Sequence, residues 1–130
     1  MNKTILVTGA VFGILGITLG AFAAHGLKGI IDIEAIKSFE TGVRYQMYHA
    51  LLFLLLGSVG ILKTKPKKAV YFLVLIGVLF FSGSIYGLST NTLTSFDFKK
   101  IALITPIGGL LLIVAWLIML INFLKVKVDN

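Results

Sequence analysis

Residues 101–124 read IALITPIGGLLLIVAWLIMLINFL, twenty-four residues without a charge. A helix needs about 20 mainly apolar residues to cross roughly 30 Å of hydrocarbon, so this stretch alone reads as a membrane span. Working outward from it, residues 69–90 and residues 4–24 (TILVTGAVFGILGITLGAFAA) read the same way. A fourth stretch, 45–62, is slightly short, and residues before Arg44 extend it. Four spans consume nearly all 130 residues. The chain therefore reads as one all-α domain, an integral membrane bundle of four transmembrane helices. Pro66 sits where the third helix begins, a position that needs no backbone donor.

Composition agrees. The chain is 58% hydrophobic and 13% charged, against about 45–50% and 25% for soluble domains, and its mean hydropathy is +1.02. A soluble enzyme, a disordered chain and a secreted disulfide scaffold are excluded together, the last also by the absence of cysteine. The net charge of +7 does not require nucleic acid, because basic loops facing an anionic leaflet explain it. With four spans, Lys3, Lys63, Lys65, Lys67, Lys68, Lys125 and Lys127 share one side with Asp129, a net +6. The other side holds Lys28, Lys37, Arg44, Lys99 and Lys100 against Asp32, Glu34, Glu40 and Asp97, a net +1. The more basic side is expected in the cytoplasm, with both termini. Ala21-Phe22-Ala23 imitates a signal-peptidase site, but the apolar run before it exceeds the usual ~7–15 residues, so the segment is expected to stay as a span.

Gly9, Gly13, Gly16 and Gly20, followed by Ala24, recur at spacings that put small residues on one face of the first span, and Gly83 and Gly87 do so on the third. Such faces suit close helix packing in lipid. Between the first two spans, Ile30, Ile33, Ile36, Phe39 and Val43 recur at helical spacing among Asp32, Glu34, Lys37 and Glu40. This predicts an amphipathic segment at the interface, or a rim helix running on into span two. Glu40 stands four residues before Arg44, the favourable orientation for a helical ion pair. Gly26, directly after His25, is a candidate C-cap.

By depth, the polar side chains gather at the non-cytoplasmic end: His25 closes span one, Arg44, Tyr45, Gln46, Tyr48 and His49 open span two, Ser82, Ser84 and Tyr86 belong to span three, and Thr105 begins span four. The cytoplasmic stretches Leu51–Leu56, Val70–Phe81 and Leu110–Leu124 are nearly featureless by comparison. Polar groups in hydrocarbon are costly unless paired or wetted. Two readings follow: a hydrogen-bonded clasp with an interfacial tyrosine belt, or a small polar cavity built on His49. Two histidines with no acid inside any span make no zinc site, and a haem held by His25 and His49 rests on too little to assign a cofactor. No triad, carboxylate pair or phosphate loop appears at meaningful spacing. Gly108-Gly109 after Pro106 reads as close helix approach or a local break.

The runs Gly20–Leu27 (GAFAAHGL) and Phe39–Leu51 (FETGVRYQMYHAL), then Phe81–Tyr86 (FSGSIY) and Ile104–Gly109 (ITPIGG), ending near Trp116, resemble the small membrane proteins of the YgdD/YwdK type across essentially the whole chain. The resemblance implies a four-span bacterial inner-membrane protein of an uncharacterised family and carries no catalytic role. The expectation is a non-enzymatic membrane protein without cofactor, acting through helix–helix or lipid contacts, with the bilayer, a second copy or another membrane protein as partner and no nucleic acid. The alternative is a small transporter or channel subunit with its polar site at the non-cytoplasmic end.

Overall fold

A computed structural model describes residues 1–127; Asp129, counted in the charge balance above, lies outside them. Four long helices follow one another: α1 (Asn2–His25), α2 (Ile33–Ser58), α3 (Thr64–Ser89) and α4 (Ile104–Leu124), with two short 3-10 turns, Asn91–Leu93 and Phe98–Ile101, between α3 and α4. Three helical stretches, Asn2–His25, Thr64–Ser89 and Phe98–Leu124, are long and apolar enough to cross a membrane. Helix α2 is long enough, at about 39 Å for 26 residues, but its first half carries the charges that the sequence placed in a rim segment.

Of the two readings of the rim segment, the structure takes the second: it is a rim helix that runs on into the following apolar stretch. Asp32 Oδ1 accepts from the Ala35 amide at 2.7 Å, the side-chain cap that lets a helix begin abruptly. Helix α2 then runs unbroken to Ser58, so the amphipathic turns and the apolar stretch after Arg44 are one rod. Before it, Gly26 ends α1 in ordinary helical conformation, its amide donating to Phe22 O, and the left-handed position falls instead at Gly29, with φ of 81°. Leu27 turns inward and is fully buried beside Ala23 and Phe39. The expected Glu40–Arg44 pair does not form; Arg44 Nη2 donates to Thr41 Oγ1 at 3.0 Å, because an exposed ion pair adds too little to hold two long side chains.

Consecutive helices pack antiparallel, α1 on α2, α2 on α3 and α3 on α4, whereas α1 and α4 do not pack on each other to any extent. The closest approach joins α3 and α4: a Cβ built at Gly108 would stand 2.8 Å from the Gly77 carbonyl oxygen and collide with the Phe81 amide. Small residues there let two backbones meet. The buried residues of α4, Gly108, Leu112, Ala115 and Met119, form a single seam at helical spacing. The main core joins Ile5 and Phe12 of α1, Phe53 and Leu56 of α2, Val70, Tyr71, Val74 and Val78 of α3, and the α4 seam. The start of α1, the end of α4 and the α2–α3 turn lie at one end, called here the terminal end; the α1–α2 and α3–α4 connections form the distal end.

Candidate functional site

Polar side chains placed on the inner faces of these helices meet in pairs that cross from helix to helix. At the centre is Gln46, buried on α2. Its Nε2 donates to the Phe12 carbonyl of α1 at 2.9 Å and its Oε1 accepts from the Tyr86 hydroxyl of α3 at 2.6 Å, so one amide ties three helices. One turn earlier, Ser82 Oγ donates to the Gly42 carbonyl at 2.7 Å, and the Tyr86 ring lies over Gly42, where a Cβ would come within 2.7 Å of it. Toward the distal end, Ser84 Oγ donates to the Phe81 carbonyl at 3.0 Å and meets Thr105 Oγ1 of α4.

His49 is 3% exposed. Its Nε2 accepts from Trp116 Nε1 of α4 at 3.1 Å, and Nδ1 lies 2.6 Å from the Tyr45 carbonyl. An indole only donates, so the ring proton is assigned to Nδ1 and given to that carbonyl. Both nitrogens of the neutral ring are thereby engaged. Because α2 begins at Ile33, His49 lies about 24 Å along it, nearer Ser58 than the distal end. It stands five residues, about one and a half turns, beyond Arg44.

The polar pairing also continues into the half expected to be featureless. Thr8 Oγ1 donates to the Thr4 carbonyl at 2.8 Å and accepts from the Tyr71 hydroxyl at 2.9 Å. Lys67, 6% exposed, donates to the Val59 carbonyl at 2.9 Å and to Asn2 Oδ1 at 3.2 Å. The result is a ladder of bonds along the helices rather than a cluster at one end. Of the polar residues singled out by depth, Gln46, Ser82 and Tyr86 meet around Gly42, Ser84 meets Thr105, and His49 stands apart with Trp116. His25, Arg44, Tyr45 and Tyr48 are exposed on the surface, the two tyrosines edge to face at 5.6 Å.

Among the glycines, Gly9, Gly16 and Gly20 face α2, against Phe53, Met47 and Val43 respectively, while Gly13 and Gly83 meet no neighbour and Gly87 seats the Phe98 ring. The close approach read at Gly108 is present, with Gly77 as its partner, whereas sequence reasoning missed Trp116, Tyr71 and Thr8. The signal for the two aromatics was present, since an indole N–H or a phenol deep in an apolar stretch needs an acceptor. Nothing in the lysine run 63–68 marked Lys67 as buried.

Several clefts reach polar groups, and three of them border residues named above. One of about 200 Å³ lies beside Gln46, Ser82 and Tyr86 between α1 and α3, with mainly apolar walls. A distal one of about 410 Å³ is lined by Glu34, Ser38, Ser89 and Thr105 among apolar residues, and Ser89 Oγ, buried there, has no hydrogen-bond partner. At the terminal end, a smaller one of about 220 Å³ borders Asn2, Thr64 and Lys67. Among the described residues no group of three or more His, Cys, Asp or Glu could hold a metal ion.

Residues 19–109 match a family model described as a protein of unknown function, DUF423. The UPF0382 membrane protein SH2409 of Staphylococcus haemolyticus is 35% identical over 95% of this chain and 97% of its own length. YwdK of Bacillus subtilis, also a UPF0382 membrane protein, is 35% identical over 95% and 98%, and a UPF0382 membrane protein of Haemophilus influenzae is 35% identical over 98% of each chain. No solved structure matches the chain.

Proposed function

The chain belongs to the DUF423 family, whose relatives are membrane proteins of unknown function, and we propose that it is a four-span, non-enzymatic member acting through the outer surfaces of its helices. In this reading α2 is the fourth span, both termini face the cytoplasm across the cell membrane, and the bonded ladder is scaffold. The observation that carries it is the complete mutual pairing of Gln46, Tyr86, Ser82, Ser84, Thr105, His49 and Trp116. Those interior groups are used by the protein itself. Meanwhile α1 presents Val7, Val11, Ile14 and Ile17, and α4 presents Leu110, Ile113, Leu117 and Leu120, outward. Such faces fit lipid, a second copy or another membrane protein.

The orientation is tested by fusing a fluorescent protein, which folds only in the cytoplasm, to the C-terminus and separately into the 91–100 loop. Fluorescence from the first alone supports the reading, and fluorescence from the second alone overturns it. The surface role is tested by measuring oligomeric mass in nanodiscs together with cross-linking from α1 and α4. A monomer whose α1 and α4 faces tolerate charged substitution without loss of membrane insertion would contradict it. A transporter or channel subunit is favoured by one observation, the unpaired Ser89 hydroxyl in the distal cleft. Solute flux in proteoliposomes that is abolished by Ser89→Ala would support that second reading.

A further inference from the structure

Lys67 is a buried cation with no counter-charge among the described residues. It stands in the first turn of α3, and its stem leans back toward the helix N-terminus, as helical side chains do. The ammonium reaches the Val59 carbonyl and Asn2 Oδ1, both neutral groups. The four acids among the described residues, Asp32, Glu34, Glu40 and Asp97, belong to the distal connections or the distal half of α2. Helix α2 has no basic residue in its own last turn, so Lys67 supplies the cation that its terminal carbonyls favour. That dipole offsets only part of a full charge.

The surroundings add positive charge. Lys63 at the N-cap of α3 makes no side-chain cap bond and the first turn of α3 holds no acid, so the Thr64 and Lys65 amides lie at a helix N-terminus that favours an anion. The cleft of about 220 Å³ that opens onto Lys67 is walled by Met1, Asn2, Leu62 and Thr64, combining an apolar side with a hydroxyl. Exposed Lys63, Lys65 and Lys68 surround the same helix start. Buried charges are ordinarily paired or hydrogen-bonded in full, and basic pockets between helices at a membrane surface take anionic head groups.

We propose that this cleft is the seat of an anionic phospholipid head group, its phosphodiester held by the Lys67 ammonium and the N-terminus of α3. The proposal rests on the membrane placement given above, in which the terminal end lies at head-group level. The lipid is the occupant because the cleft stands where a membrane surface delivers phosphodiesters and because Leu62 and Met1 offer an apolar wall to the glycerol and first methylenes.

The test uses the full chain in detergent with equal amounts of phosphatidylglycerol and phosphatidylcholine, and native mass spectrometry to count retained lipids. Wild type is expected to hold one phosphatidylglycerol in preference by about fivefold, the bias one lysine confers at a membrane surface. Lys67→Gln is expected to bring the two lipids near parity, while Lys68→Gln, which removes an exposed charge one residue away, keeps most of the preference. Equal retention of both lipids by wild type overturns the proposal, as does an equal loss in the two variants. Displacement of the lipid by excess inorganic phosphate assigns the site to free phosphate and overturns it as well. If Lys67→Gln does not fold, a photoreactive phosphatidylglycerol on wild type decides: adducts on residues 1–2 and 62–67 are expected, and adducts confined to 125–127 contradict. None of these failures alters the sidedness of the helices, which fluorescent fusions read separately.

Discussion

Helices α2 and α4 are near opposites in sequence and in placement. Helix α4 has twenty-one residues without a charge, yet only Gly108, Leu112, Ala115 and Met119 are buried, and most of its large apolar side chains face outward. Helix α2 carries four charged residues, the Gln46 amide and His49, yet it packs on both α1 and α3 and buries eight residues along its length. In water the more apolar helix would be the interior one. Here apolarity marks the side given to hydrocarbon, and polar or small residues mark where helices touch, since only a neighbouring helix can satisfy a polar group at that depth.

Substitutions in the two helices sharpen or break this contrast. The largest effect is expected where backbones meet. Gly108→Leu must displace the Gly77 carbonyl and the Phe81 amide, and should cost roughly 3 kcal/mol or more, read as loss of folded protein in detergent; tolerance would mean α4 does not dock by this seam. Next is Gln46→Leu, which removes the bonds to Phe12 and Tyr86 together and should cost about 1–2 kcal/mol by steric trapping. His49→Phe and Trp116→Phe should each cost about 0.6 kcal/mol and, combined, little more than either alone, because they share one bond. The smallest effect is expected from Leu117→Ala on the outer face of α4, within about 0.5 kcal/mol. If that change cost as much as Gln46→Leu, apolar burial rather than polar pairing would hold the helices together.

The contrast also explains what could be read from the sequence. Residues 4–24, 69–90 and 101–124 were legible because hydrocarbon thickness imposes a length and a composition that few other structures satisfy. The small residues of α1 were legible for the same kind of reason, although spacing could not tell Gly13, which faces open space, from Gly9 and Gly16. Helix α2 was harder. Its charges interrupt the apolar run, which leaves open whether the rim turns form a separate interfacial segment or run on into one helix. The cap at Asp32 decides that boundary, and it rests on a backbone geometry that hydropathy does not report. The partners of His49 and Thr8 come from helices 67 and 63 residues away. Only the packing of α4 and α3 brings Trp116 and Tyr71 to them.

The claim that organises the rest is that α2 crosses the membrane although its composition is the least apolar of the four. The chain contains no cysteine, so single cysteines can be introduced at Ser38, exposed in the charged first turns of α2, and at Lys63, past its other end, and labelled in intact cells with a membrane-impermeant maleimide. The account predicts that the cysteine at 38 labels from outside and the one at 63 only after the cells are opened. Labelling of both from the same side would contradict it.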